Sequence, residues 1–216
     1  GYCRTMDVAT YERNKEAADA ESRYVLTCRN TDRLCIFTEK GKLHTAKIAD
    51  LPYGKFRDKG VPIDNISNFS SDKEHIIAVT SQTSLNLYRV IFVTKLSMMK
   101  IVDGGEFDVS KRMVASTKLQ EGDEIVDVSV LKEQKDIILQ TKDGYFLKFS
   151  LEEIPEKKKG AVGVRGMKLT GTDQVENVYY TRPGMADPVI EFKEKQFDLS
   201  RIKTGRRDSK GTKPRV

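Results

Sequence analysis

The chain has 216 residues, with 38 Lys and Arg against 32 Asp and Glu, a net charge of +6 and a pI of about 9.1. That is long enough to bury a core without disulfide or metal staples. At 38% hydrophobic and 32% charged residues, the composition fits a folded domain with a charged surface and excludes a disordered tail; no apolar run approaches the roughly 20 residues that span a bilayer. Cys3, Cys28 and Cys35 are odd in number and lack C-x-x-C spacing, so neither a disulfide framework nor a zinc site is expected, and they read as buried free thiols. Gly1-Tyr2-Cys3-Arg4-Thr5-Met6-Asp7 has no apolar signal core and reads as the start of a piece cut from a longer polypeptide, so secretion is not expected. Without a secretory route the two glycosylation sequons at Asn65 and Asn68 read as chance matches.

In chain order, the segment 9–21 (ATYERNKEAADAE) reads as a helix with a poor apolar face or, equally, as a charged loop. Beyond it, apolar residues fall in period two or in short β-branched and aromatic runs. Strands are predicted at 23–29, 34–38, 75–81, 85–94, 98–102, 125–131, 136–141, 145–150, 175–180 and 189–192. Turn signals such as Glu39-Lys40-Gly41, Asp103-Gly104-Gly105 and Lys142-Asp143-Gly144 separate them. The chain is all-β.

One pattern recurs: a strand, a turn in which Thr stands three residues before Gly or Ser, a second strand, an acidic-apolar step, and a basic stretch. The turns centre on Gly41, Ser97 and Gly144, and degenerate copies stand at 1–4 and 191–197. The steps Ile48-Ala49-Asp50-Leu51-Pro52, Gly105-Glu106-Phe107-Asp108-Val109-Ser110 and Leu151-Glu152-Glu153-Ile154-Pro155 lead to Lys55, Arg57 and Lys59, to Lys111 and Arg112, and to Lys157, Lys158 and Lys159. Each basic cluster is expected at the same structural point of its repeat. Further apolar strands are predicted after the clusters, at 61–66, 113–119 and 161–169. Four strands per unit around a shared axis make a propeller-like disc. Repeats fall at roughly 1–21 (partial), 22–81, 85–131, 135–181 and 187–216 (partial), a single domain of four to five blades. The segment 198–202 is predicted to be a strand that completes the first blade and closes the ring. The stretch 201–216, with Arg201, Lys203, Arg206, Arg207 and Lys210, is either a basic tail or the last basic arc of the disc. In-register cations on a curved edge suit the phosphates of a bent duplex, held without regard to base sequence.

The series Leu34-Cys35-Ile36-Phe37-Thr38-Glu39-Lys40-Gly41-Lys42-Leu43, Asp50-Leu51-Pro52 and Lys59-Gly60-Val61-Pro62-Ile63 resembles a repeat of the C-terminal domain found in the A subunits of bacterial DNA gyrase and topoisomerase IV. Gly163-Val164-Arg165-Gly166-Met167-Lys168-Leu169 and Lys118-Leu119-Gln120-Glu121-Gly122-Asp123-Glu124 carry the same resemblance in two further repeats. It implies a β-pinwheel, a disc with strands exchanged between neighbouring blades, whose basic perimeter binds and bends double-stranded DNA beside a cleavage core. The clusters above, together with Arg13, Lys15, Arg165, Lys168 and the cations of 201–210, are then the DNA-contact candidates. The domain itself would be non-catalytic and hold no cofactor or metal; ATP and Mg2+ would act through other domains or subunits of the parent. Expected partners are the chain's own upstream cleavage domain and the topoisomerase B subunit, in the cytoplasm at the nucleoid. Where gyrase carries the glycine-rich box Gln-Arg-Arg-Gly-Gly-Lys-Gly, this sequence reads Glu12-Arg13-Asn14-Lys15-Glu16-Ala17-Ala18, so the box is absent and a topoisomerase IV-like holding of a second duplex stands beside gyrase-type wrapping as an open alternative.

Against chemistry within the chain, His44 and His75, the only histidines, stand in no metal-ligand spacing, and no G-x-S-x-G is present. Gly160, Gly163 and Gly166 lack the G-K-[ST] ending of a phosphate loop. The competing class is a propeller used as a protein-interaction scaffold, which would expose an apolar or mixed face in place of a basic rim.

Overall fold

The computed structural model describes residues 1–216. Its strands are β1 (Tyr2–Cys3), β2 (Arg33–Thr38), β3 (Lys42–Lys47), β4 (Val61–Pro62), β5 (Ile76–Ser81), β6 (Arg89–Thr94), β7 (Met98–Asp103), β8 (Met113–Ala115), β9 (Ile125–Leu131), β10 (Asp136–Thr141), β11 (Phe146–Ser150), β12 (Val164–Arg165), β13 (Val175–Tyr180), β14 (Val189–Phe192) and β15 (Lys195–Asp198). Three short helices are interspersed: α1 (Val8–Arg13), α2 (Lys15–Glu21) and α3 (Gln82–Leu87).

The recurrent Thr-x-x-Gly/Ser phrase is the hairpin of each blade. The carbonyls of Thr38, Thr94 and Thr141 accept the N–H of Gly41, Ser97 and Gly144 at 3.1, 2.9 and 3.0 Å. The third residue after Thr has positive φ, at 73°, 67° and 87°, which explains glycine at two of the three sites. Ser97 tolerates the left-handed conformation because its hydroxyl accepts the N–H of Met167 at 2.8 Å, a bond that ties the second repeat to the third.

Two four-stranded sheets form, ordered β5-β2-β3-β8 and β9-β6-β7-β12, and a third runs β13-β10-β11. In the first two, the last strand comes from the following repeat, so the strands are exchanged as the pinwheel requires. The third sheet is completed by Thr212, paired with Phe146. Two-stranded pieces, β1 with β4 and β14 with β15, flank these three blades. Strand β9 touches both β5 and β13, so these three strands line the axial side of their sheets, and the exchanged strands at the opposite edges lie on the perimeter. Near the axis the half-buried Asp127 carboxylate accepts the hydroxyls of Tyr180 and Ser129; burial raises its pKa against the lowering effect of those bonds.

Packing explains the unbroken apolar runs. Val90 and Phe92 enter a core shared with Cys35, Phe37 and Leu43 of the first blade, while Ile91 and Val93 enter one shared with Ile137, Leu139 and Phe149 of the third. A strand buried on both faces loses the polar half of its alternation. Phe37 meets Phe92 and Phe107 edge-on, at 5.8 and 5.4 Å between ring centroids, a geometry favoured by the ring quadrupoles.

Several expectations are corrected. The segment 23–29 is not a strand: the side chains of Arg23 and Tyr24 bond the carbonyls of Ile76 and Ile77, so side chains take the place of a backbone ladder. The predicted strand 85–94 is split, because Ser81 caps α3 through the N–H of Ser84 at 3.2 Å and β6 begins only at Arg89. The helical reading of 9–21 holds with a break at Asn14, whose side chain donates to the Thr10 carbonyl at 2.8 Å. The apolar stretches 61–66, 113–119 and 161–169 shrink to the two- or three-residue strands β4, β8 and β12. Residues 198–202 do not close a ring with the first residues. Asp198 caps a 3-10 turn, Leu199–Arg201, through the N–H of Ser200, and β1 pairs with β4.

Candidate nucleic-acid interface

The cations reach the perimeter on the loops that precede the exchanged strands. Two of these, 51–60 and 154–163, are built alike. Thr5 N–H donates to Pro52 and Ile101 N–H to Pro155, at 2.8 and 3.2 Å; Thr5 and Ile101 in turn accept from Gly54 and Lys157, at 3.1 and 2.8 Å. Each loop ends on a glycine with positive φ, Gly60 at 81° and Gly163 at 101°. A Cβ there would stand 2.3 Å from the carbonyl oxygen of Cys3 or of Met99, so both steric room and backbone conformation require glycine. The C-terminal stretch repeats the device: Gly205 N–H donates to Lys148 at 2.7 Å, and Gly211 presses on Phe146. Residues 201–212 therefore form a further arc of the disc rather than a free tail.

The loop 108–112 differs. It has five residues between its 3-10 turn and β8, where the other two have ten. Thr45 binds the carbonyls of Arg112 (2.8 Å) and Lys111 (3.2 Å), Arg33 binds that of Val109, and Met113 stands where the others have glycine. Lys111 and Arg112 thus sit at the threshold of β8, not at the apex of a long loop, which corrects the expectation that every cluster occupies the same structural point.

Of the candidate side chains, Lys55, Arg57, Lys59, Lys111, Arg112, Lys157 and Lys158 are exposed on these loops. Lys59 rests over the Tyr2 ring at 4.4 Å. Lys159 is half-buried, its ammonium on the Glu106 carbonyl at 3.2 Å. Arg13 of α1, with Lys55, Arg57, Asp7 and Asp58, borders an open cleft of about 560 Å³; Lys15 is exposed on α2. Lys168, Lys203 and Arg206 are exposed without a carboxylate partner. Arg201 and Lys210 lie over the rings of Phe197 and Tyr145, at 5.2 and 5.1 Å. Arg165 and Arg207 are already engaged: the first grips Asp208 with two nitrogens, the second bonds the carbonyls of Glu153 (3.0 Å) and Arg165 (2.8 Å). Asp208 keeps its carboxyl below the usual range through the Arg165 guanidinium.

Two cations missed at the sequence level organise the long loops from inside. Lys100, fully buried on β7, donates to the carbonyls of Lys158, Lys159 and Ala161 at 3.1, 2.7 and 2.6 Å. Burial lowers its pKa to about 8, against the opposing effect of Glu106. Arg4, at the equivalent position after β1, binds the carbonyls of Phe56 and Asp58 and lies over the Phe56 ring at 5.1 Å. The signal was a lysine inside the apolar run Met98-Met99-Lys100-Ile101-Val102. A surface lysine there would break the strand's two-sided burial.

The remaining polar candidates sit in packed surroundings. His44 is buried with Nε2 2.8 Å from Glu74, which also accepts Thr38 Oγ1 at 2.8 Å. Cys35 is buried and its thiol is pushed up to about 12, whereas Cys3 and Cys28 are only half-buried. No helix is long and apolar enough to cross a membrane.

Known proteins share this architecture. The profile described as DNA gyrase C-terminal domain, beta-propeller, matches residues 32–82, 88–132 and 135–182. The chain is 26% identical over 222 residues to the DNA gyrase A subunit of Lawsonia intracellularis, covering 94% of this chain and 27% of that protein. Against the DNA topoisomerase 4 A subunit of Streptococcus pyogenes it is 27% identical over 182 residues, covering 82% and 22%. It spans about a quarter of the length of the curated relatives it matches. A solved C-terminal domain of DNA topoisomerase IV aligns at TM-score 0.83 and 23% identity, over 98% of this chain and 69% of that one. The E. coli ParC C-terminal domain aligns at TM-score 0.69 and 15% identity, over 87% and 78%.

Proposed function

The chain belongs to the family of the DNA gyrase C-terminal domain, beta-propeller, and we propose that it is the non-catalytic duplex-binding part of a type IIA topoisomerase A subunit. Its perimeter holds and bends double-stranded DNA to guide strand passage. The observation that carries this reading is the recurrence of one glycine-anchored loop around the edge, presenting Lys55, Arg57 and Lys59 in one repeat and Lys157 and Lys158 in another. Cations repeated along a curved edge neutralise phosphates of the duplex and favour a bent path.

In this reading residues 1–216 act as one domain without cofactor or metal. Cleavage and ATP hydrolysis, with Mg2+, belong to an upstream cleavage domain and a B subunit of the parent, in the cytoplasm at the bacterial nucleoid. The stretch 12–18 is helical around Asn14 and carries Glu12 and Glu16, so it offers no flexible glycine-rich box; this supports holding a duplex for passage over gyrase-type wrapping. Fluorescence anisotropy with a duplex of about 40 base pairs over a salt series tests the reading, since each neutralised phosphate contributes a log–log slope of about −0.9. Binding is expected to be indifferent to base sequence and to weaken steeply with salt. Replacing Lys157, Lys158 and Lys159 by Ala should flatten the slope by about two phosphate equivalents, because Lys159 is already engaged. Absence of binding at low salt would overturn the reading in favour of a protein-interaction scaffold.

A further inference from the structure

The inward-facing cations solve a problem that the exposed ones do not. A carbonyl and the N–H that follows it share one planar trans peptide unit and point in opposite directions. Lys100 draws the carbonyls of Lys159 and Ala161 into the molecule, so the N–H groups of Gly160 and Val162 point away from it. Arg4 draws in the carbonyls of Phe56 and Asp58, which turns outward the N–H groups of Arg57 and Lys59. These are the same positions counted back from Gly163 and from Gly60. None of the four N–H groups donates to an acceptor within the protein. By contrast the N–H of Lys159, whose preceding carbonyl is also held by Lys100, is satisfied by Glu106 at 3.2 Å.

Resting on the DNA-binding reading above, we propose that Lys100 and Arg4 are positioning residues that convert loops 154–163 and 51–60 into paired backbone anion sites. The peptide N–H groups of Gly160 and Val162, and of Arg57 and Lys59, each receive a phosphodiester oxygen of the duplex. Backbone donors fixed by a buried cation cost no side-chain entropy and read no base, which suits contacts that set the register of the DNA path. The buried ammonium of Lys100 and the half-buried guanidinium of Arg4 add positive potential behind the same N–H groups without reaching the ligand. The short loop 108–112 has neither device: its carbonyls are held by Arg33 and Thr45, and it presents its cations alone.

The test is an amide-resolved NMR titration of the full chain with a duplex of about 12 base pairs, followed by anisotropy over a salt series. The amide protons of Gly160, Val162, Arg57 and Lys59 should move downfield on duplex addition and stay in place with inorganic phosphate at matched phosphate concentration. In Lys100→Met the shifts at Gly160 and Val162 should vanish while those at Arg57 and Lys59 persist, with affinity reduced about a hundredfold or more, as expected for two lost hydrogen bonds to a charged phosphate. The salt slope should change by less than one phosphate equivalent, because every exposed lysine remains. Arg4→Met should give the mirror result, which keeps the test decisive if Lys100→Met fails to fold. If the four amides stay still while the duplex binds, the anion sites are refuted and DNA binding by side chains stands; if they move equally with inorganic phosphate, the sites take any phosphate and their assignment to the duplex path is overturned. If no duplex binds at low salt, the underlying reading fails as well, so the two failures are distinguishable.

Discussion

Loops 154–163 and 108–112 occupy corresponding stations in neighbouring repeats, yet they are organised in opposite ways. The first is ten residues long, pinned at its end by Gly163 and filled from beneath by Lys100; the second is five residues long, leads straight into Met113 of β8 and is laced to Thr45 and Arg33. A long loop on a rim stays ordered only if something satisfies its inward carbonyls, and a buried cation with three acceptors does so. A short loop keeps its carbonyls within reach of the neighbouring strand and needs no such residue.

The largest effect that would break this contrast is expected from Gly163→Ala. The new Cβ would meet the Met99 carbonyl at 2.3 Å on a backbone with φ of 101°, so a loss of about 3 kcal/mol or more is expected in urea unfolding. Met113→Ala, at the equivalent place of the short loop, should cost less than about 1 kcal/mol, since that side chain is exposed.

The next effect concerns pH. Lys100 has a folded pKa lowered to about 8 from 10.5, so between those values the unfolded chain binds the proton and the folded one does not. Stability therefore rises with pH through this window, where a group with a raised pKa would make it fall. Below pH 8 the charge is carried in both states and the burial penalty is present in full; above 10.5 it is absent. The difference in unfolding free energy between the protein and Lys100→Met should accordingly grow in favour of the protein from pH 8 to 10.5, by up to roughly 3 kcal/mol. A flat difference would mean that the ammonium is better solvated than its burial implies.

The smallest effect sharpens the comparison at the level of binding. Lys111→Ala with Arg112→Ala should flatten the salt slope for duplex by no more than about two phosphate equivalents and leave all backbone shifts in loops 51–60 and 154–163 unchanged. A loss of those shifts would show the two loop types to be coupled rather than independent.

Most of the fold was legible because hairpins are local. Thr38, Thr94 and Thr141 with their Gly or Ser, and the apolar runs of β6 and β10, specify turn and strand within ten residues of one another. Errors fell where a distant partner decides. Residues 23–29 carry strand-like side chains but meet β5 through Arg23 and Tyr24 instead of a ladder, and the C-terminal end of α3 packs its Leu85 and Tyr88 carbonyls against Gly104, whose N–H donates to Tyr88 at 3.0 Å. The basic clusters were legible as charge, but Lys159, Arg165 and Arg207 are occupied by neighbours that no local pattern announces.

The all-β class, the repeat with its period, and the segments that carry positive charge could all be read along the chain, since they follow from side-chain periodicity and turn chemistry within one stretch. Three outcomes could not be read from local pattern: that each outer strand belongs to the next repeat, which only the family resemblance implied, that 198–202 turns away from the first residues, and that Arg4 and Lys100 face inward. They depend on which carbonyls and apolar faces a segment meets 50 or more residues away, and a carbonyl that must be satisfied leaves no mark on the identity of its own residue.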